Sequence, residues 1–232
     1  MSSLVILPTY NEIHNLGRIV PQLIGIGLDL SVLIIDDNSP DGTGRCADDL
    51  AAKHSNVAVI HRPSKLGLGT AYLEGFRFAL EHNFEIIFTM DSDFSHDPAY
   101  LPEFTKKLEN CDLVVGSRYV KNGGVKNWGI LRKTISRVGN IYARTLLNIR
   151  MDDCTSGFMG FHSKIIKNMD LAAIKSEGYA FLIEFKYKAL NNNFNVMQHP
   201  IIFTDRTAGK SKISNNIILE AALLVWKLKI RR

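Results

Sequence analysis

The sequence predicts an α/β fold in which a mainly parallel sheet carries helices on both faces. Two observations predict it. Short β-branched or aliphatic runs alternate with longer helical patterns, as in strand–helix–strand crossover units. Polar and charged residues collect just after the apolar runs, at what would be one end of the sheet, where open α/β sheets bind ligands. Strands are expected at 4–7, 31–35, 57–61, 85–90 and 112–116, with helices at 11–28, 42–53, 67–82 and 99–108 between them. The second half is less regular. It reads as a loop at 121–127, a helix at 129–147, a strand at 157–161, a helix at 179–190, a strand at 195–203 and a polar loop at 204–211. A basic, apolar helix at about 213–232 follows. No repeat, low-complexity linker or composition break divides the chain, so 1–232 is expected to form one domain.

Composition narrows the class. The 232 residues are 46% hydrophobic and 22% charged, ordinary for a globular protein long enough to bury a full core. A net charge of +5 suits anionic ligands without specifying one, and nothing points to nucleic acid. Cys46, Cys111 and Cys154 lack metal-ligand spacing and are odd in number, which speaks against a disulfide framework or a zinc site and for a reducing, cytoplasmic setting. The first residues run into a strand without a basic leader, and no apolar run reaches 18 residues. Neither a signal peptide nor a transmembrane helix is expected.

The strand ends carry the chemistry. After the first comes Pro8-Thr9-Tyr10-Asn11-Glu12, and after the second Asp36-Asp37-Asn38-Ser39-Pro40-Asp41-Gly42. Asp91-Ser92-Asp93 follows the fourth, and Gly116-Ser117-Arg118-Tyr119 the fifth. Two carboxylates two residues apart at a strand end can share a ligand, and hard oxygens suit Mg²⁺ or Mn²⁺ bound jointly with substrate phosphates. A lone pair of this kind also caps turns. The nearby Asp36-Asp37 favours the ligand reading, because clustered like charges need a cation or hydrogen-bond donors. One of Asp36 and Asp37 is the better candidate for base or ribose, whereas Asp41 and Gly42 read as turn and helix cap. Gly67-Leu68-Gly69 lacks the third glycine of a dinucleotide fingerprint, so it reads as a tight turn with close helix packing.

In order along the chain, PTYNE (8–12), DDNSPDGT (36–43), DSDFSHDP (91–98), GSRYVKNGGVKNW (116–128), LRK–S (131–136), SGF (156–158) and R–GKSK (206–212) resemble the family-2 glycosyltransferases. Within that family the polyprenol-phosphate (dolichol-phosphate) mannose synthases are most similar. The resemblance implies a GT-A fold and inverting transfer of mannose from GDP-mannose to a polyprenyl phosphate, with a divalent cation, Mg²⁺ or Mn²⁺, as cofactor. It implies that Pro8, Tyr10, Glu12, Ile35 and Asp37 line the nucleotide pocket and that Asp91, Ser92 and Asp93 sit at the diphosphate and metal. Arg118, Arg132 and Ser136 would hold the acceptor phosphate, while Arg206 and Lys212 close over the donor. Asp93, Arg118, Arg132 and Arg206 form the expected catalytic set. Ser95 stands where the family pattern has Gln; it is the third metal candidate, directly or through a water.

A phosphate acceptor removes the need for a general base, since a monoester with a second pKa near 6 is already a dianion at neutral pH. No histidine stands out as a base; His96, beside the carboxylates, reads equally as a turn residue. The enzyme must then position the nucleophile and stabilise the departing diphosphate. Arg118 and Arg132 suit bidentate phosphate binding, Arg132 at a helix start that favours anions. Lys133 and Arg137 read as a solvated face. The C-terminal helix, with Trp226, Lys227, Lys229, Arg231 and Arg232, reads either as core or as a helix lying on an anionic membrane. A separate membrane-anchoring subunit is a further partner the sequence leaves open. Three rival functions remain: a phosphatase with an Asp nucleophile, a non-catalytic binding subunit, and transfer from UDP-glucose or a UDP-N-acetylhexosamine. Gly209 within 206–212 marks a lid over the donor. Arg206→Ala is therefore expected to lower turnover about 10²-fold or more at saturating donor; near-normal turnover would contradict the lid.

Overall fold

The computed structural model describes residues 1–174, 176–205 and 215–230, with the side chains of the last stretch described from 222 onward. The elements run β1 (Ser3–Thr9), α1 (Ile13–Ile24), β2 (Leu30–Asp36), α2 (Thr43–Lys53), β3 (Val57–His61), α3 (Leu68–Glu81) and β4 (Ile86–Thr89). Then come α4 (Leu101–Leu108), β5 (Leu113–Ser117), β6 (Gly124–Lys126), α5 (Ile130–Leu147), β7 (Met159–His162) and α6 (Lys164–Lys167). The chain continues with α7 (Gly178–Asn191), β8 (Val196–Pro200), β9 (Ile202–Thr204) and α8 (Asn215–Ile230).

Among the described residues the main sheet has the order β3-β2-β1-β4-β7-β5-β8. All neighbours are parallel except β7, which runs antiparallel between β4 and β5. The mainly parallel expectation holds, and the antiparallel insertion explains why the second half breaks the strand–helix alternation. Successive residues of β1 and β2 go to opposite faces and meet a core on each. Leu4, Ile6, Leu33 and Ile35 join α3, α5, α7 and α8 on one side; Val5, Leu7, Val32 and Ile34 join α1, α2 and α4 on the other. On the first side, Phe76 packs with Tyr72, Phe161, Phe181 and Phe185 in an aromatic cluster. Each such ring stabilises the fold by about 1.5–3 kcal/mol through burial.

Two elements differ from expectation, each for a local reason. α1 is shorter than 11–28: Asn11 (φ 59°) precedes its start, and the chain leaves it through Gly25 and the left-handed Gly27 (φ 82°). The strand expected at 195–203 divides at the buried Ile201, so that β9 leaves the main sheet and pairs with β6 inside the expected loop 121–127. Asp41 caps α2 as expected, its carboxylate accepting the Thr43 amide at 3.0 Å, and it also accepts the Ile13 amide of α1. Gly67 and Gly69 allow close packing: a Cβ on Gly67 (φ 99°) would lie 2.4 Å from the Glu177 carboxylate, and one on Gly69 2.6 Å from the Ser176 carbonyl. No helix among the described residues is long and apolar enough to cross a membrane.

Candidate active site

The carboxyl ends of β1, β2 and β4 open into a cavity of about 580 Å³. Because both sheet faces are sealed by core, polar side chains gain access to solvent and ligand mainly at this rim. In sheet order, Pro8, Tyr10, Glu12 and Asp37 line it beyond β1 and β2, Asp91, Ser92 and Asp93 beyond β4, and Arg118 beyond β5, where Arg132 joins it at the Trp128 ring. Nine of the residues expected in the site thus share one cavity.

Four different anchors set these side chains. Asp37 is ion-paired with the buried Arg62, whose other nitrogens donate to Thr70 Oγ1 (2.7 Å) and the Gly67 carbonyl (2.8 Å). Its neighbour Asp36 is absorbed by structure, accepting from the Thr9 hydroxyl and from Ser39. Asp37 is therefore the member of the pair that faces the cavity. Lys65 Nζ stands 4.2 Å over the Tyr10 ring.

The turn bearing Asp91 and Asp93 is held by His96. Its Nδ1 accepts the Asp91 amide at 3.0 Å, and its ring stacks on Phe158 with centroids 4.9 Å apart. Burial pushes its pKa down to about 4, so the imidazole is neutral at pH 7 with its proton on Nε2. His96 therefore braces the turn.

Arg118 and Arg132 are positioned in contrasting ways. Arg118, at the end of β5, is buried and held bidentate by the fully buried Asp153 at 2.7 and 2.6 Å, with Thr155 Oγ1 at 2.7 Å. The pairing pushes the Arg118 pKa up despite desolvation, and it holds Asp153 below the usual carboxylate range. Arg132, in the first turn of α5, lies 4.1 Å over the Trp128 ring and donates to Asp205 at 2.7 Å. Its Nε is buried without a partner among the described residues.

Three expected site residues lie elsewhere. Ile35 does not line the cavity; strand alternation sends its side chain into the core. Ser95 is not a cavity residue either. Its amide donates to Asp93 Oδ1 (3.0 Å), the backbone reverses at Phe94 (φ 61°), and the hydroxyl is buried without a partner among the described residues. Ser136 sits one helical turn behind Arg132 and accepts from the Tyr119 hydroxyl at 2.7 Å, outside the cavity lining. Arg206 and Lys212 fall outside the described residues. Among the described residues no three His, Cys, Asp or Glu side chains are grouped to hold a metal ion by themselves.

Arg62, Trp128, Asp153 and Glu177 were not singled out by sequence reasoning. Arg62 follows the third strand, so the strand-end rule applied there would have found it. Trp128 falls inside a stretch already noted. Asp153 and Glu177 have no local signal, because their partners are 35 and 108 residues away.

Residues 4–170 match the profile of Glycosyl transferase family 2. The chain belongs to this family. Among curated family-2 relatives, it is 42% identical over 231 residues to the polyprenol monophosphomannose synthase of Mycolicibacterium smegmatis, covering 99% of this chain and 87% of that protein. It is 40% identical over 233 residues to the undecaprenyl-phosphate mannosyltransferase of Micrococcus luteus, covering 100% and 96%. Its fold is similar to that of glucosyl-3-phosphoglycerate synthase from Mycobacterium tuberculosis, solved with Mn²⁺, UDP and glucosyl-3-phosphoglycerate. That likeness has a TM-score of 0.69 at 16% identity, over 98% of this chain and 79% of that one. It bears on the architecture alone, which is the GT-A fold.

The Arg118–Asp153 pair gives a prediction. Asp153→Asn leaves a buried guanidinium without its counter-charge and is expected to cost about 3–5 kcal/mol in urea unfolding at pH 7. A carboxylate with a depressed folded pKa stabilises the fold fully above its unfolded value of 3.8 and loses that contribution as pH falls through the lower folded value. The gap between wild type and variant should therefore still be present at pH 5 and narrow only below 3.8. A gap that closes near pH 6 would contradict the pairing.

Proposed function

We propose that the protein transfers mannose from GDP-mannose to a polyprenyl phosphate, with inversion at the anomeric carbon. The observation that carries this reading is one cavity with a carboxylate pair, Asp91 and Asp93, in its middle and two fixed arginines, Arg118 and Arg132, beyond it. The names of the family-2 relatives, both of which concern mannose and a polyprenyl phosphate, support the choice of sugar and acceptor.

The nucleotide lies against Pro8, Tyr10, Glu12 and Asp37, with Lys65 beside Tyr10. The donor set fits a hard divalent cation: Asp91 and Asp93 would hold it jointly with the diphosphate of the donor. When bound, Mg²⁺ or Mn²⁺ supplies Lewis-acid stabilisation of the leaving diphosphate. Arg118 and Arg132, both in the cavity wall, orient the acceptor phosphate. A phosphate oxygen forms the new bond to C1 as the C1–O bond to GDP breaks. The nucleophile is already ionised, so Asp91 and Asp93 need not accept its proton.

The lipid acceptor implies contact with a membrane from the cytoplasmic side. α8 exposes Leu223 and Trp226 (52% each) and Ile230 (77%) beside Lys227 and Lys229. α5, which packs on α8, exposes Ile130, Leu131 and Val138 next to the Arg132 end of the cavity. An apolar face flanked by bases and adjoining the acceptor site supports peripheral attachment, with or without a separate membrane-anchoring subunit. The purified protein, given a short polyprenyl phosphate and Mg²⁺ or Mn²⁺, should convert GDP-mannose to polyprenyl phosphate mannose by mass. It should use UDP-glucose and UDP-N-acetylglucosamine at least tenfold less efficiently. A preferred UDP-sugar, or release of free phosphate without transfer, would overturn the reading.

A further inference from the structure

Lys186 is wholly buried in the middle of α7, and the proposed reaction does not use it. Its Nζ donates to the carbonyls of Cys154 (2.9 Å), Ser156 (2.6 Å) and Leu182 (3.2 Å). An ammonium has three N–H donors, so these acceptors saturate it. It can neither contact a substrate nor act as a base in that state. Leu182 belongs to its own helix, whereas Cys154 and Ser156 belong to the segment joining α5 to β7.

That segment is suspended on side chains from four elements. The Asp152 and Asp153 amides donate to Gln198 Oε1 on β8, at 3.0 and 3.3 Å. The Cys154 and Thr155 amides donate to Asn140 Oδ1 on α5, at 2.6 and 3.2 Å. The Gly157 carbonyl accepts from Thr89 on β4 at 2.7 Å. Lys186 supplies the complementary donors. The same segment's own side chains aim Arg118, through Asp153 and Thr155, while Thr155, Ser156 and Gly157 line the cavity.

Keeping an ammonium in this place is unfavourable for the fold. Burial pushes its pKa down to about 7, against the opposing pull of Asp153. An apolar side chain of similar length would avoid the desolvation. What it would not supply is a tripod of donors holding two carbonyls of the segment at once.

We infer that Lys186 is a positioning residue: by clamping the Cys154 and Ser156 carbonyls it fixes Asp153 and Thr155, and so sets the orientation of the Arg118 guanidinium in the cavity. The inference deepens the proposed function, on which it rests for the identity of the acceptor, but the orientation of Arg118 can be read without any turnover. In ¹⁵N–¹H spectra the Arg118 Nε–H, assigned by its loss in Arg118→Lys, should exchange slowly in the wild type. In Lys186→Met it should exchange at least tenfold faster. In steady-state assays the same variant should raise the KM for polyprenyl phosphate about tenfold or more and leave that for GDP-mannose within about twofold. A general loosening would move both constants. Unchanged Arg118 exchange, or parallel rises in both KM values, would overturn the inference. Absence of wild-type transfer with the expected exchange behaviour would overturn only the acceptor reading. Lys186→Gln, which keeps two donors, is measured alongside; insolubility of both variants would assign Lys186 to the fold and overturn its positioning role.

Discussion

Burial of the sheet on both faces is the constraint on which the rest of the molecule depends. Residues of β1 and β2 such as Val5, Ile6, Leu33 and Ile34 are wholly inaccessible, so the strands offer no lateral surface to a ligand. Chemistry is confined to the rim where β1, β2 and β4 end, and the chain places there both carboxylates and guanidinium groups. Those charges would be costly in a dry interior without partners. Each buried arginine accordingly has one: Arg62 with Asp37, and Arg118 with Asp153.

The pairing differs in its consequence at the two sites. Arg62 is spent on Asp37, Thr70 and Gly67, which ties the Asp37 side of the cavity to the start of α3. Arg118 is held from behind by Asp153 and Thr155 while remaining part of the cavity wall. The first arrangement makes a rigid floor and the second a preorganised cation. Preorganised charge is what a reaction between two phosphorylated substrates requires, since it stabilises the transition state without reorganising at the moment of transfer.

Much of this was legible in the sequence because it is local. Strand–helix alternation follows from apolar periodicity, and the rule that ligands sit beyond strand ends picks out the stretches holding Tyr10, Asp36 and Asp37, Asp91 and Asp93, and Arg118, while the choice of Asp37 over Asp36 came from the family pattern. Asp41 as a cap follows from turn chemistry. Other features were hidden because they depend on registers formed by distant segments. Nothing near Asp153 announces that it will meet Arg118, and nothing in α7 distinguishes Lys186 from a surface lysine. Strand alternation, which sends Ile35 into the core, was available from the sequence, but the family pattern alone did not apply it. Ser95 follows the left-handed Phe94, and its hydroxyl is buried outside the cavity lining, a position that the motif alone does not reveal.

The central claim is that donor and acceptor halves meet in one cavity, with Asp91 and Asp93 on one side of the reaction and Arg118 and Arg132 on the other. It is tested most directly by ³¹P relaxation of a short, water-soluble prenyl phosphate in the presence of the protein, GDP and Mn²⁺. The account predicts strong paramagnetic broadening of the prenyl phosphate signal, well beyond that in protein-free solution, with loss of the excess in the Asp91→Asn, Asp93→Asn double variant. A prenyl phosphate that binds the protein yet keeps a sharp signal at saturating Mn²⁺ and GDP would place the acceptor away from the carboxylates and contradict the account.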